Sequence, residues 1–221
     1  DIAIAGHSNS GYISKIYHND GGVFSEAANL AGVNSCSLSW GDYDNDGDLD
    51  LAIAGWASPS HISKIYRNDG GIFTDIGANL AGVYGCSLSW GDYDNDGDLD
   101  LALAGCMGGS TVISKIYRND GGAFVEDTVA DANLIGVEYC SLSWGDYDND
   151  GDLDLAIAGH IGVGNKISKI YRNDSGSFNE VASLAGVSSC SLSWGDYDND
   201  GDLDIAIAGH SNSGYISKIY H

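Results

Sequence analysis

Apolar and polar residues alternate along this chain in short bursts. In CSLSWG, Cys36 to Gly41, the apolar Cys36, Leu38 and Trp40 interleave with Ser37, Ser39 and Gly41, the two-residue period of a strand with one buried face. LDLAIAG, Leu49 to Gly55, sets Leu49, Leu51 and Ile53 on one face and Ala52 and Ala54 on the other. With both faces apolar, this strand is expected to lie deepest. HISKIYRND, His61 to Asp69, is β-branched and aromatic and ends in Asn68-Asp69-Gly70-Gly71, which favours a turn. The fourth segment, IFTDIGANLAGV (Ile72 to Val83), is expected to be strand in its first half only. No window spaces its apolar residues at helical intervals over three turns.

This order of segments recurs around an acidic stretch, GDYDNDGDLD, that begins at Gly41, Gly91, Gly145 and Gly195. The copies lie 50, 54 and 50 residues apart, and a period of that size signals repeat architecture. Four short antiparallel strands per unit predict an all-β fold of β-propeller-like blades. The chain divides into a partial repeat at 1–41, repeats at 42–91, 92–145 and 146–195, and a partial repeat at 196–221. The 54-residue unit carries its extra residues after Gly105 and around Val125 to Asn133, where a surface excursion costs little. The loops HSNSGY, WASPSH, CMGGSTV and HIGVGNK differ in every copy, marking either neutral surface or the seat of specificity.

The 32 acidic residues outnumber the 9 basic ones, for a formal charge of −23. Such a surface repels phosphates and anionic headgroups, which argues against nucleic acid as a partner and against membrane insertion. Twenty of those carboxylates belong to the four acidic loops: Asp42, Asp44, Asp46, Asp48 and Asp50; Asp92, Asp94, Asp96, Asp98 and Asp100; Asp146, Asp148, Asp150, Asp152 and Asp154; Asp196, Asp198, Asp200, Asp202 and Asp204. Five carboxylates this close repel one another unless a cation sits among them. A hard divalent ion, Ca²⁺ above all, takes six to eight oxygen ligands in a flexible loop. About one ion per loop, four in all, is therefore expected.

DYDNDGDLDLAIAG, then IYRNDGG, then FTDIGANLAGV resemble the FG-GAP and VCBS-type repeats of integrin-α-like β-propellers, whose blades carry a DxDxDGxxD calcium loop. The resemblance covers essentially the whole chain. It implies that Asp42, Asp44 and Asp46 bind through their side chains, that Asp48 offers its backbone carbonyl and that Asp50 closes the shell, with the same roles at the matching residues of the other loops. The loop is not an EF-hand: Ile53 stands where a bidentate Glu is needed, and a strand follows rather than a helix. The relatives usually close with about seven blades, whereas this chain has four acidic loops, and its residues 1–18 repeat as residues 204–221. Overlapping ends leave open a second architecture, a linear stack of the same units in a filament.

The remaining candidates are weaker. The six histidines fall in variable loops or after ISKIY, without zinc spacing or a nucleophile elbow, so no enzyme is expected. Trp40, Trp90, Trp144 and Trp194 read as core because they alternate in phase with Cys and Leu. Trp56 and His61, in a variable loop, are the candidates for contact with a glycan or protein ligand, and the tyrosine inside each acidic loop reads as a shield for the ion. The lysine of ISKIY reads as surface, with pairing to a neighbouring acidic loop as the alternative. Cys36, Cys86, Cys140 and Cys190 hold one repeat position and read as buried thiols, while Cys106, in a variable loop, reads as the reactive one. Asn173-Asp174-Ser175 is an Asn-x-Ser sequon. These features together suggest a non-enzymatic, calcium-stabilised extracellular or cell-surface scaffold, a window of a longer fibre-forming protein that self-associates. A carbohydrate-binding or adhesion module is the alternative.

Overall fold

The computed structural model describes residues 1–162 and 164–221, so Val163 of the fourth variable loop lies outside the described residues. Among the described residues sixteen strands follow one another: β1 (Ile2–Ser8), β2 (Gly11–Asp20), β3 (Val23–Gly41), β4 (Asp50–Ala57), β5 (Ser60–Asp69), β6 (Ile72–Asp75), β7 (Tyr84–Gly91), β8 (Asp100–Gly108), β9 (Thr111–Asp120), β10 (Ala123–Glu126), β11 (Glu138–Gly145), β12 (Asp154–His160), β13 (Lys166–Asp174), β14 (Ser177–Gly195), β15 (Asp204–Ser211) and β16 (Gly214–Tyr220). All pairings between consecutive strands are antiparallel.

The long strands β3 and β14 each serve two sheets. Up to Val33, β3 pairs with β2; from Asn34 onward it pairs with β4. β14 makes the same change between Val187 and Ser188. Sorted by pairing, the strands form propeller-like blades of four: the second half of β3 with β4, β5 and β6; β7 to β10; and β11 to β13 with the first half of β14. A partial blade precedes them (β1, β2 and the first half of β3), and another follows (the second half of β14, β15 and β16).

The fourth segment departs from expectation in two of its four copies. It runs as continuous strand through VFSEAANLAGV and SFNEVASLAGV, but stops after four residues in β6 and β10. Those two copies are longer, by one residue at the bend where Gly77 takes a φ of +70°, and by the insertion after Glu126. The extra residues break the pairing, and it resumes only as the single bridges Ile62 to Val83 and Ile113 to Val137.

Blades meet large face against small. Ala52 and Ala54 of β4 share a core with Leu101 and Leu103 of β8; Ala102 and Ala104 do the same with Leu155 and Ile157, and Ala156 and Ala158 with Ile205 and Ile207. The strand read as deepest is so, since Leu51 to Ala54 are all at most 1% exposed. Leu49 is an exception, because it belongs to the loop before β4 and is 55% exposed.

The inner strands lie side by side across each seam. Leu88 N–H donates to Ser37 Oγ at 3.2 Å and the Trp90 indole N–H to Ser39 O at 3.0 Å, and the same two bonds recur at the next two seams. The indole lies over a glycine: a Cβ on Gly41 would come within 2.7 Å of Trp90, one on Gly91 within 2.8 Å of Trp144, and one on Gly145 within 2.7 Å of Trp194. Trp90, Trp144 and Trp194 are thus half-buried and pack against the core as their phase predicts, whereas Trp40 lines a cavity instead. The tyrosine of IY also crosses a seam, its hydroxyl accepting the amide N–H of Ala31, Ala81, Ile135 or Ala185 in the preceding unit.

Candidate metal centre

Each acidic loop joins the first strand of a blade to its second and is built by its own side chains. Asp42 accepts the amides of Asp46 and Gly47 at 3.1 and 3.0 Å, and Asp46 accepts that of Asp48 at 2.9 Å. The turn needs left-handed backbone at two places, supplied by Asn45 at φ +57° and Gly47 at φ +94°, the residue types that tolerate it best. Asp50, wholly buried at the start of β4, accepts Tyr43 N–H at 3.1 Å and Asn68 N–H at 2.8 Å. These bonds recur at Asp100, with Tyr93 and Asn119, and at Asp154, with Tyr147 and Asn173.

Carboxylate oxygens of Asp42, Asp44 and Asp50 lie within 4.8 Å of one another, as do those of Asp92, Asp94 and Asp96, of Asp146, Asp148 and Asp154, and of Asp196, Asp198 and Asp200. Asp198 and Asp204 also gather with His221. All other donors in these clusters are carboxylate oxygen, the set that suits a hard cation. Burial, reinforced by the neighbouring aspartates, pushes the carboxyls of Asp50 and Asp154 up to about 6 and that of Asp100 to about 7. At the first three loops the clusters among the described residues thus gather negative charge with no cationic side chain inside them, whereas at the fourth His221 lies 3.0 Å from Asp204. Those oxygens fit a divalent ion, which would supply the missing charge and draw the loop closed.

The fourth aspartate faces elsewhere. Asp48 accepts Gly70 N–H at 2.7 Å, and its other oxygen takes no part in the cluster. Asp98 and Asp152 each hold the turn after the third strand and also accept an asparagine amide from the preceding loop, Asn95 reaching Asp152 at 2.8 Å and Asn45 reaching Asp98 at 3.1 Å. The loops are thereby tied into a row, a link that one copy of the motif could not reveal because its acceptor lies in the next.

A match to the model of the FG-GAP-like repeat covers residues 42–103 and, in a second overlapping hit, residues 92–157. The chain belongs to this family. Each hit runs from one acidic loop into the second strand of the following blade, so the FG-GAP-like unit includes the seam that the loops bridge. No curated protein matches the chain.

Several side chains of this FG-GAP-like protein sit differently from their expected places. The tyrosine of the loop does not turn towards the carboxylates: Tyr43, 3% exposed, stacks on Trp90 at 6.2 Å and meets Phe124 edge-on at 5.3 Å, both in the next blade. Burying an aromatic ring across a seam yields far more than shading an ion at the surface. The ISKIY lysines pair not with acidic loops but with a carboxylate eleven residues onward in the adjoining strand of their own blade: Lys15 with Glu26, Lys64 with Asp75, Lys115 with Glu126 and Lys169 with Glu180. Cys106 is not in a loop but inside β8, 1% exposed. All five cysteines are unpaired thiols; of the four at the repeat position only Cys86 is buried outright, Cys36, Cys140 and Cys190 being half-buried, and desolvation raises all four, Cys86 to about 12.

Trp56 and His61 do come together, as cross-strand partners in β4 and β5 with ring centroids 4.7 Å apart. His61 stacks in turn on Tyr84 of the next blade at 4.9 Å. The insertion after Glu126 is more than a surface excursion. Its Asp127 accepts the buried Tyr93 hydroxyl at 2.7 Å, and Ala130 is wholly buried. Asn173 of the sequon is also fully buried, its amide donating to Tyr93 O at 2.7 Å, a placement that leaves no room for a glycan.

Proposed function

We propose that this FG-GAP-like chain is a non-enzymatic, calcium-stabilised repeat scaffold of the extracellular or cell-surface kind, built to associate with further copies of itself. The observation that supports calcium most directly is that a three-carboxylate cluster gathers at each of the four loops, and that at three of them a buried aspartate, Asp50, Asp100 or Asp154, is pushed up by burial and by its neighbouring aspartates. An ion bound only by the folded loops adds its binding energy to stability. The role is read as structural because the carboxylates' hydrogen bonds to backbone amides shape the loop itself. No helix among the described residues is long and apolar enough to cross a membrane.

The test is thermal unfolding with Ca²⁺ in excess and again in EGTA. With four sites linked to folding, chelation is expected to lower the midpoint by more than about 10 °C, and an unchanged curve would refute the calcium role.

A second reading, adhesion to a carbohydrate, draws on the half-buried stack of Trp56, His61 and Tyr84. Aromatic faces at a variable loop are suited to sugar rings. Saturable binding on a glycan array, reduced at least tenfold by Trp56→Ala, is the result that supports it; an array without signal leaves the scaffold reading alone.

A further inference from the structure

The acidic loops are joined in series, each to the next, by a single side chain. Asn45 stands between Asp44 and Asp46 with left-handed backbone, φ +57°, and its amide leaves its own loop to donate to Gly97 O at 3.2 Å and to Asp98 Oδ1 at 3.1 Å. Asn95 reaches Gly151 O at 3.3 Å and Asp152 Oδ1 at 2.8 Å, and Asn149 reaches Gly201 O at 3.3 Å and Asp202 Oδ1 at 3.1 Å. Both share the left-handed backbone, at +59° and +56°. Each of these three seams thus carries the same link, pointing the same way along the row.

Both ends of the link are built into carboxylate clusters. On the donor side, Asn95 is flanked in the chain by Asp94 and Asp96, whose oxygens gather with that of Asp92. On the acceptor side, the segment that Asn95 reaches is held from within its own loop: Gly151 N–H donates to Asp146 at 3.0 Å and Asp152 N–H to Asp150 at 2.9 Å. Asp146 belongs in turn to the cluster with Asp148 and Asp154. Asp152 stays outside that cluster, one oxygen accepting Asn95 and the other Ser175 N–H at 3.4 Å. The fourth aspartate therefore sets a negative charge at the boundary between two neighbouring clusters, where it attracts a cation in either.

We propose that the loops take up Ca²⁺ cooperatively, each ordered loop preparing the next through Asn45, Asn95 and Asn149. The inference rests on the calcium reading above and adds how the sites are related. Carboxylates crowded into an unfilled loop repel one another and favour its opening, and the link requires donor and acceptor loops to be ordered together. Closing one loop lowers the cost of closing its neighbour, and the effect is reciprocal. Repulsion between cations in adjacent loops works the other way. Salt of physiological strength screens exposed charges beyond about 8 Å, and the fourth aspartate offsets part of what is left. The hydrogen bond is local, and an exposed amide donating to a carboxylate favours the linked state about threefold. Acting over the whole row, that factor raises the Hill coefficient of Ca²⁺ binding from about 1 to about 1.5.

The test is a Ca²⁺ titration of the full chain in competition with a chromophoric chelator, at about 0.15 M salt. The variant carries Asn45→Gly, Asn95→Gly and Asn149→Gly together, because glycine accepts the left-handed backbone and removes only the linking amide. It is expected to bind as many ions as the unaltered chain, with the Hill coefficient falling to about 1. Full occupancy with undiminished steepness overturns the coupling and leaves the calcium reading standing, whereas no saturable binding to the unaltered chain overturns both. Should the triple variant bind fewer ions, a double-mutant cycle replaces it. Asp152→Ala removes the carboxylate that Asn95 reaches and spares the bonds that Asp146 and Asp150 make within the loop. Asn95→Gly is then expected to cost less steepness in the Asp152→Ala background than in the unaltered chain. An equal loss in both backgrounds means that Asn95 acts only inside its own loop, and overturns the proposal.

Discussion

Single residues at equivalent positions offer matched comparisons within one molecule. Gly41 and Gly195 occupy the same place in the repeat, but a Cβ would strike Trp90 at the first and nothing at the second. Gly41→Ala is therefore expected to cost about 1 to 3 kcal/mol through overpacking, and Gly195→Ala almost nothing, as read by urea unfolding of the two variants side by side. Tyr43→Ala removes a ring enclosed by Trp90 and Phe124 and is expected to cost about 3 kcal/mol. The thiols give a chemical readout at the same scale. Because burial holds Cys86, Cys140 and Cys190 mainly protonated, iodoacetamide at pH 8 is expected to label them slowly in the native chain and rapidly in urea. Substantial native labelling of Cys86 would contradict the packing described for the inner strands.

At the scale of the element, the acidic loop combines two jobs that substitution can separate. Asp50 holds two backbone amides from its buried position, so Asp50→Ala is expected to destabilise by about 2 to 4 kcal/mol even in EGTA. Asp44 holds none of the loop's short backbone bonds, and its oxygen sits in the cluster. Asp44→Asn is therefore expected to be slightly stabilising in EGTA, where it relieves repulsion from Asp42 and Asp46, and to lose part of the stabilisation expected from Ca²⁺, a contrast that paired melting curves measure directly. Much of this element was legible in the chain: alternate aspartates, a central glycine and an apolar strand behind them mark a carboxylate-rich loop before a buried strand by spacing alone. The direction of the Tyr43 ring was not legible, because Trp90 and Phe124 are remote in sequence and only the fold brings them near. The partner of Lys64 was hidden for a different reason. Asp75 lies in the most variable segment, where strand register could not be read.

For the molecule as a whole, the two-residue alternation and the period near 50 residues carried the fold class and the depth of the second strand. The extent of the fourth strand escaped, since a single extra residue at Gly77 separates a continuous run from an interrupted one. The large-on-small contact between blades has a consequence for how such a chain can change. Leu101 and Leu103 fit only because Ala52 and Ala54 yield space, while Ala102 and Ala104 must in turn leave space for Leu155 and Ile157. A bulkier residue at Ala54 thus demands a smaller one at Leu103, and no unit can drift without its neighbour. The row also has a sense of direction, so a blade can be duplicated or deleted whole but never reversed, and a chain bound by that rule lengthens by copying.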